Sequence, residues 1–304
     1  MKNLKQAHIE DFNLDSGLSS ETNRGIQVKT ILFPTDFSPN AHQAFIYAIK
    51  LAEKYGAEVV LFHAFHYAST GEFYITPELI DRINLEKEDR AHKEFEKYGE
   101  QVKKEIKSDV ELSFKFSYAF AIDGILQAVK EINPDMIVMG TRGASNVVEK
   151  LFGSVTSQVI ERVSCPVLAI PVDAQFREFN HILYATNFEE DGLSLPPWML
   201  DAAKTFGATI SCVHVNQHPS DPWTRLEVAL KKEILTSGID PDLLKMYVLH
   251  EPRVWESLQQ FIYKNQVDLM AILPHKHTFL EKLFQSSLTR RAALEIGIPL
   301  LVLH

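Results

Sequence analysis

Cysteine is almost missing from this chain: its 304 residues include two, Cys165 and Cys212. Each falls in an apolar, strand-like run, so both read as small buried hydrophobes rather than a bridge or a metal site. That usage fits a reducing cytoplasm. Long apolar runs are also lacking, with nothing near the roughly 18 residues of a membrane span. Lys2 and Lys5 are not followed by the apolar stretch of an export signal. A soluble, unexported, cytoplasmic chain is expected. There is no surplus of positive charge: 31 Lys and Arg stand against 40 Asp and Glu, a net charge of -9. This excludes a role that depends on neutralising many nucleic-acid phosphates. The patterns G-x-S-x-G, H-E-x-x-H and C-x-x-C are absent as well, and with them the usual hydrolase, zincin and dithiol signatures.

What is present is ordinary globular material, 45% hydrophobic and 23% charged, long enough for two cores. Residues 1–27 are polar and aperiodic, which predicts a disordered tail. Beyond them the chain repeats itself. Ile31-Leu-Phe-Pro-Thr-Asp36-Phe37 returns as Ile182-Leu-Tyr-Ala-Thr-Asn187-Phe188, and Ala52, Gly56, Ala57 and His63 return as Ala203, Gly207, Ala208 and His214, all 151 positions later. Asp135 returns as Asp268, Thr156 as Thr289 and Pro166 as Pro299, now 133 positions later. The second copy is therefore shorter in its middle, where the first inserts residues 67–77 and a long helix carrying Phe95, Tyr98, Val102 and Ile106 at helical spacing. Such an insertion decorates a binding edge or an interface.

Within each copy short β-rich runs alternate with amphipathic segments, the pattern of βαβ units on a parallel sheet. The first copy reads as strands near 30–34, 58–64, 111–118, 136–140 and 167–171, with helices near 40–55, 78–106, 122–132 and 154–163. The second reads as strands near 182–185, 209–215, 245–249, 269–273 and 300–303. The fold class is α/β: two tandem doubly wound domains, each a five-stranded parallel sheet flanked by helices. The boundaries are 28–172 for the first domain, 173–180 for a linker and 181–304 for the second.

One segment carries chemistry. Gly140-Thr-Arg142-Gly143 follows the apolar strand ending at Met139, and nine residues later Gly153-Ser154-Val155-Thr156 opens a helix. Ligands of open parallel sheets bind beyond the carboxyl ends of the strands. The glycines allow close backbone approach, while the helix N-terminus offers free N–H groups and a positive dipole end to an anion. Ser154 and Thr156 add hydroxyls, and Arg142 and Lys150 are nearby cations. The plain structural alternative is a strand-ending glycine followed by a serine helix cap.

The spacing G-x2-G-x9-G-[ST] after a fourth strand, together with a first strand ending Pro34-Thr35-Asp36, resembles the universal stress protein family; the Walker A pattern does not occur. The likeness covers nearly all of 28–171 and, in degenerate form, 180–304. It implies an adenine nucleotide alpha-hydrolase-like fold binding ATP, with Mg²⁺ held through the phosphates. Asp36 and the backbone around Ala64 would face adenine and ribose, and Met139 and Gly140 would lie beside the sugar. Gly143, Gly153, Ser154, Val155 and Thr156 would hold the phosphates. It also implies modules paired through their last strands, 167–170 and 300–303, with a homodimer as a further assembly.

The second copy departs from this pattern. Leu273, Lys276 and Ser286 replace the three glycines, and Asn187 replaces Asp36, so ATP binding there in the family manner is not expected. Lys276, His275 and His277 form a basic loop, for which the plain reading is a solvated charged loop and the alternative a weak anion site. His63-x-x-His66 and His275-x-His277 lack the further ligands of a metal site. Trp198, Trp223 and Trp255 read as packing or interface residues. Three functions follow: an ATP-binding regulator of stress response, an interaction or scaffold protein without nucleotide, or a slow ATPase or autokinase. No general base for the γ-phosphate is evident.

Overall fold

The computed structural model describes residues 5–6, 27–65, 77–141, 154–186, 195–216, 243–250, 253–273 and 297–304. They fall into two compact units, one drawn from residues 28–172, the other from residues 173–304 together with Lys5–Gln6.

The first unit contains β2 (Thr30–Pro34), α1 (Pro39–Tyr55), β3 (Glu58–Phe65), α2 (Pro77–Ile106), β4 (Leu112–Tyr118), α3 (Ala121–Ile132), β5 (Met136–Gly140), α4 (Ser154–Arg162) and β6 (Val167–Ile170). Its strands are parallel and lie in the order β6-β5-β2-β3-β4. Near-continuous apolar runs make β2 and β5 central, since a parallel strand is covered on both faces. Ile31, Leu32, Phe33, Ile137 and Val138 are all fully buried. Helix α1 packs on β2, β3, β5, β6 and α2, whereas α3 packs on β3, β4 and α4. Pro39 occupies the first turn of α1, and Gly56 ends it in the left-handed conformation at φ 69°, donating its N–H to the Ala52 carbonyl.

The inserted helix α2 lays a ring-rich face on this unit. Phe95 contacts Phe37 and Phe114, each at 4.9 Å between ring centres, and Tyr98 stacks on Phe45 at 5.0 Å. Val102 and Phe95 are fully buried. The helix predicted to decorate an edge also reaches the core along one stripe of its second half, at Ala91, Phe95, Gly99 and Val102.

The second unit holds β7 (His181–Ala185), α5 (Pro197–Phe206), β8 (Thr209–Asn216), β9 (Leu244–His250), α6 (Val254–Asn265), β10 (Leu269–Ile272) and β11 (Leu300–Val302). The order β11-β10-β7-β8-β9 reproduces that of the first unit, strand for strand. A further strand, β1 (Lys5–Gln6), pairs antiparallel with β9 through Gln6↔Tyr247 and Lys5↔Val248. The five parallel strands are as expected, and the dipeptide Lys5–Gln6 of the 1–27 segment adds an antiparallel sixth at the edge. Pairing on a sheet edge needs only main-chain N–H and C=O groups, so no side-chain pattern announces it. Ala174 and Phe179 are buried, and Phe179 meets Phe206 at 5.2 Å. Cys212 is buried as expected, but Cys165 is only half-buried, where desolvation pushes its thiol up to about 11.

The repeat extends to single hydrogen bonds. Asp135 Oδ2 accepts the main-chain N–H of Lys29 (2.8 Å) and Thr30 (3.0 Å), clamping the start of β2 to β5. Asp268 Oδ2 accepts the N–H of Asn180 and His181, both at 3.0 Å, in the same arrangement between β7 and β10. Asp135→Ala and Asp268→Ala are each expected to cost about 2 kcal/mol, since two bonds to a charged acceptor are lost. Urea denaturation of the single variants measures this.

Candidate functional site

The site is built where β2 and β5 end side by side. From β2 the chain proceeds toward β3, and from β5 it proceeds toward β6 in the opposite direction, which makes this the topological switch point. Pro34 and Thr35 are buried, and the Thr35 N–H still bonds the Phe62 carbonyl at 2.9 Å. Beyond that the chain turns sharply. Thr35 Oγ1 accepts the Phe37 N–H and Asp36 Oδ1 accepts the Ser38 N–H, both at 3.0 Å. These side-chain turns compete with further pairing and start α1. Phe37 sits at φ 56°, a costly conformation for an aromatic residue. Its ring is held by His63, Phe95 and Tyr98 at 5.1, 4.9 and 5.8 Å. The turn leaves Asp36 exposed at the carboxyl edge of the sheet.

His63, weighed from sequence as a metal ligand with His66, has another task. Its Nδ1 donates to the Thr35 carbonyl at 2.7 Å, since a carbonyl can only accept. His66, like His275 and His277, lies outside the described residues.

At the end of β5, Met139 is buried and Gly140 half-buried. The Thr141 N–H bonds the Ile170 carbonyl at 2.9 Å. Thr156 Oγ1 donates to the Gly140 carbonyl, also at 2.9 Å, tying the first turn of α4 to the last residue of β5. Thr156 is 3% exposed, whereas Ser154 is exposed and Val155 half-buried. The N-terminal N–H groups of α4 are thereby fixed at the carboxyl end of a central strand, where an anion is favoured. Of the remaining sequence-predicted residues, Arg142, Gly143 and Gly153, with Lys150, lie outside the described residues. Ala64 is half-buried on β3, paired in register with Ser117.

Several buried hydroxyls cluster around these loops. Ser38 Oγ, Thr141 Oγ1 and Tyr98 Oη have no hydrogen-bond partner among the described residues. Burial, reinforced by the charges of Asp36 and then Glu105, raises the Tyr98 phenol well above its ordinary range. Sequence reading passed over Thr141 and Ser38, and took Tyr98 only as part of the inserted helix's apolar spacing, because no pattern distinguishes a buried hydroxyl from an exposed one. It also passed over Gly124, for which a glycine inside an amphipathic helical run was the available signal.

In the second unit His214 Nδ1 donates to the Thr186 carbonyl at 3.0 Å, repeating the His63 bond. Leu273 stands half-buried where the first unit has Gly140. Asn187, Lys276, Ser286 and Ser287 lie outside the described residues. Trp198 and Trp255 are buried in their unit's core.

Residues 27–171 match the model of the universal stress protein family. A universal stress protein of Synechocystis sp. is 30% identical over 151 residues, 48% of this chain and 87% of that protein. One from Methanocaldococcus jannaschii is 29% identical over 147 residues, 47% of this chain and 81% of its own length. Across both units, the crystal structure of a universal stress protein from Archaeoglobus fulgidus covers 91% of this chain and 96% of its own, with a TM-score of 0.65 at 19% identity, a likeness of fold.

Thr156→Val keeps the shape and removes the bond to Gly140; it is expected to cost about 1 kcal/mol and to speed amide exchange in the first turn of α4. Tyr98 gives a pH prediction. The folded state keeps the phenolic proton longer than the unfolded chain does, so this group's contribution is intact below about pH 10 and is lost as pH rises beyond it. Tyr98→Phe is expected to flatten the fall of Tm above about pH 10, measured against the parent protein.

Proposed function

From the premise that this chain belongs to the universal stress protein family, we propose that its first unit binds ATP and acts as a nucleotide-responsive regulator in a cytoplasmic stress response. The observation that carries this reading is the Thr156 bond to the Gly140 carbonyl, because it sets a helix N-terminus beside the strand end where Asp36 is exposed. The donor set suits a nucleotide: main-chain N–H groups and the Ser154 hydroxyl for the phosphates, and the small residues Gly140 and Ala64 for close approach. In this reading Gly143, Gly153, Ser154, Val155 and Thr156 cradle the phosphates, with Arg142 as a cation. Asp36 takes the ribose hydroxyls, and Met139 and Ala64 line the sugar and base. A Mg²⁺ ion would be held chiefly by the phosphates and would neutralise their charge.

The second unit is proposed as the structural and interaction partner of the first. Leu273 at the Gly140 position supports this, since a leucine side chain obstructs backbone approach where a glycine permits it. The apolar last strands, 167–170 and 300–303, are the proposed surfaces through which modules pair, and a dimer of chains extends the same scheme. Turnover of ATP is expected to be slow or absent, because Asp36 is committed to the sugar.

Calorimetric titration of the whole chain with MgATP is expected to give one site per chain. Gly143→Lys is expected to abolish it by placing a side chain in the phosphate loop. Two sites per chain, or undiminished binding in that variant, would overturn the assignment.

A further inference from the structure

Among the described residues, four other than glycine have a left-handed backbone. Three of them, Lys107, Asn133 and Gln266, directly follow helices, where such a residue is a common terminator. Phe37 is the fourth, and it stands instead in the turn after β2, next to Asp36, at φ 56°. This φ crowds the Cβ of an L-residue against its neighbouring carbonyl, so other contacts must hold Phe37 there. Its ring lies against His63 at 5.1 Å and meets Phe95 and Tyr98 edge-on at 4.9 and 5.8 Å. His63 is itself fixed, by its bond to the Thr35 carbonyl at 2.7 Å and by the Phe65 ring at 4.6 Å. Phe95 and Tyr98 both come from α2, where Phe95 is fully buried. The bond from the Ser38 N–H to Asp36 Oδ1, 3.0 Å, spans the Phe37 torsion. Rotation of Phe37 to a negative φ therefore parts Ser38 and α1 from the carboxylate. Burial, and after it the Asp36 charge, raises the Tyr98 phenol, so the carboxylate lies within electrostatic reach of the same ring.

We propose that the inserted helix α2 is a positioning element of the nucleotide site: through Phe95 and Tyr98 it holds Phe37 in the left-handed conformation that presents the Asp36 carboxylate to the ribose. This rests on the reading of the first unit as a nucleotide site. Phe95 and Tyr98 touch no ligand in this arrangement and act through the Phe37 backbone. The phosphate cradle at α4 does not depend on them. The sequence links helix and carboxylate. The copy that carries Asp36 also carries α2, a helix of 30 residues. In the second copy Asn187 replaces the carboxylate, and fewer residues separate Asn216, the end of β8, from Leu244, the start of β9, than α2 itself contains.

The test titrates the full-length protein and its variants with ATP and with inorganic tripolyphosphate, which has no ribose for Asp36 to hold. Phe37→Ala removes the ring but keeps the Cβ, and is expected to weaken ATP about tenfold, the factor that one left-handed residue without support costs. Phe37→Gly reaches a positive φ without strain and is expected to keep ATP within about threefold of the parent. Phe95→Leu leaves an apolar side chain without the ring edge and weakens ATP; adding Phe37→Gly restores it, since glycine needs no support from α2. Tripolyphosphate affinity stays unchanged in all four. If the parent binds ATP and Phe37→Ala binds it equally well, or Phe37→Gly loses as much as Phe37→Ala, the positioning role is wrong while the nucleotide site stands. Failure of Phe37→Gly to restore ATP to Phe95→Leu shows that α2 does not act through Phe37. If tripolyphosphate weakens in step with ATP, the variants disturb the phosphate loop and the positioning role is again wrong. If the parent binds no ATP, the nucleotide reading falls and this inference with it.

Discussion

Two strand-end carbonyls govern the architecture of the first unit. Where β2 and β5 diverge, main-chain groups run out of strand partners, and a buried carbonyl left unsatisfied would be costly. The Thr35 carbonyl is taken by His63 Nδ1 and the Gly140 carbonyl by Thr156 Oγ1. Each bond reaches across from a different element, β3 in one case and α4 in the other. Together they hold the two loops of the switch point and leave Asp36 and Ser154 facing outward. The exposure of these two groups at this edge is therefore a consequence of how the sheet satisfies its own backbone.

The two units show which parts of that solution both copies share. Both keep the aspartate clamp on the first strand, the histidine bond to the loop carbonyl and a left-handed glycine after the first helix. These hold strands and turns and serve the fold in any copy. What differs is the residue type at the strand end, glycine in one unit and leucine in the other. A duplicated module can lose close backbone approach without losing its sheet, because the two demands fall on different residues.

Much of this was legible without coordinates. The strands of both units announce themselves as short β-branched and apolar runs, and the helices carry their stop signals in Gly56 and Gly207, because parallel sheets bury both faces and helix ends need particular backbones. Of the candidate site, Gly140, Thr156 and Asp36 could be named from the sequence. Features made by long-range contact could not. The pattern His63-x-x-His66 argued against a metal site but did not say what His63 does, which is to donate from Nδ1 to the Thr35 carbonyl. The strand Lys5–Gln6 gave no pattern at all, since its partner lies far along the chain at Val248 and Tyr247. Cys165 sits in an apolar run yet is half-buried, because neighbours in space rather than in sequence decide exposure.

By itself the order of residues determined the repeat, the α/β class, the places where strands and helices start and stop, and the loss of glycines in the second copy. All of these depend on local conformational preference or on hydrophobic periodicity, which a short window of chain contains. Only the tertiary structure decided which hydroxyls are buried, which carbonyl each of His63 and Thr156 satisfies, and how closely Gly124 lets α3 approach Ala64. Those facts depend on residues separated by tens of positions meeting at a few ångströms, and they exist only once the sheet has brought its carboxyl ends together.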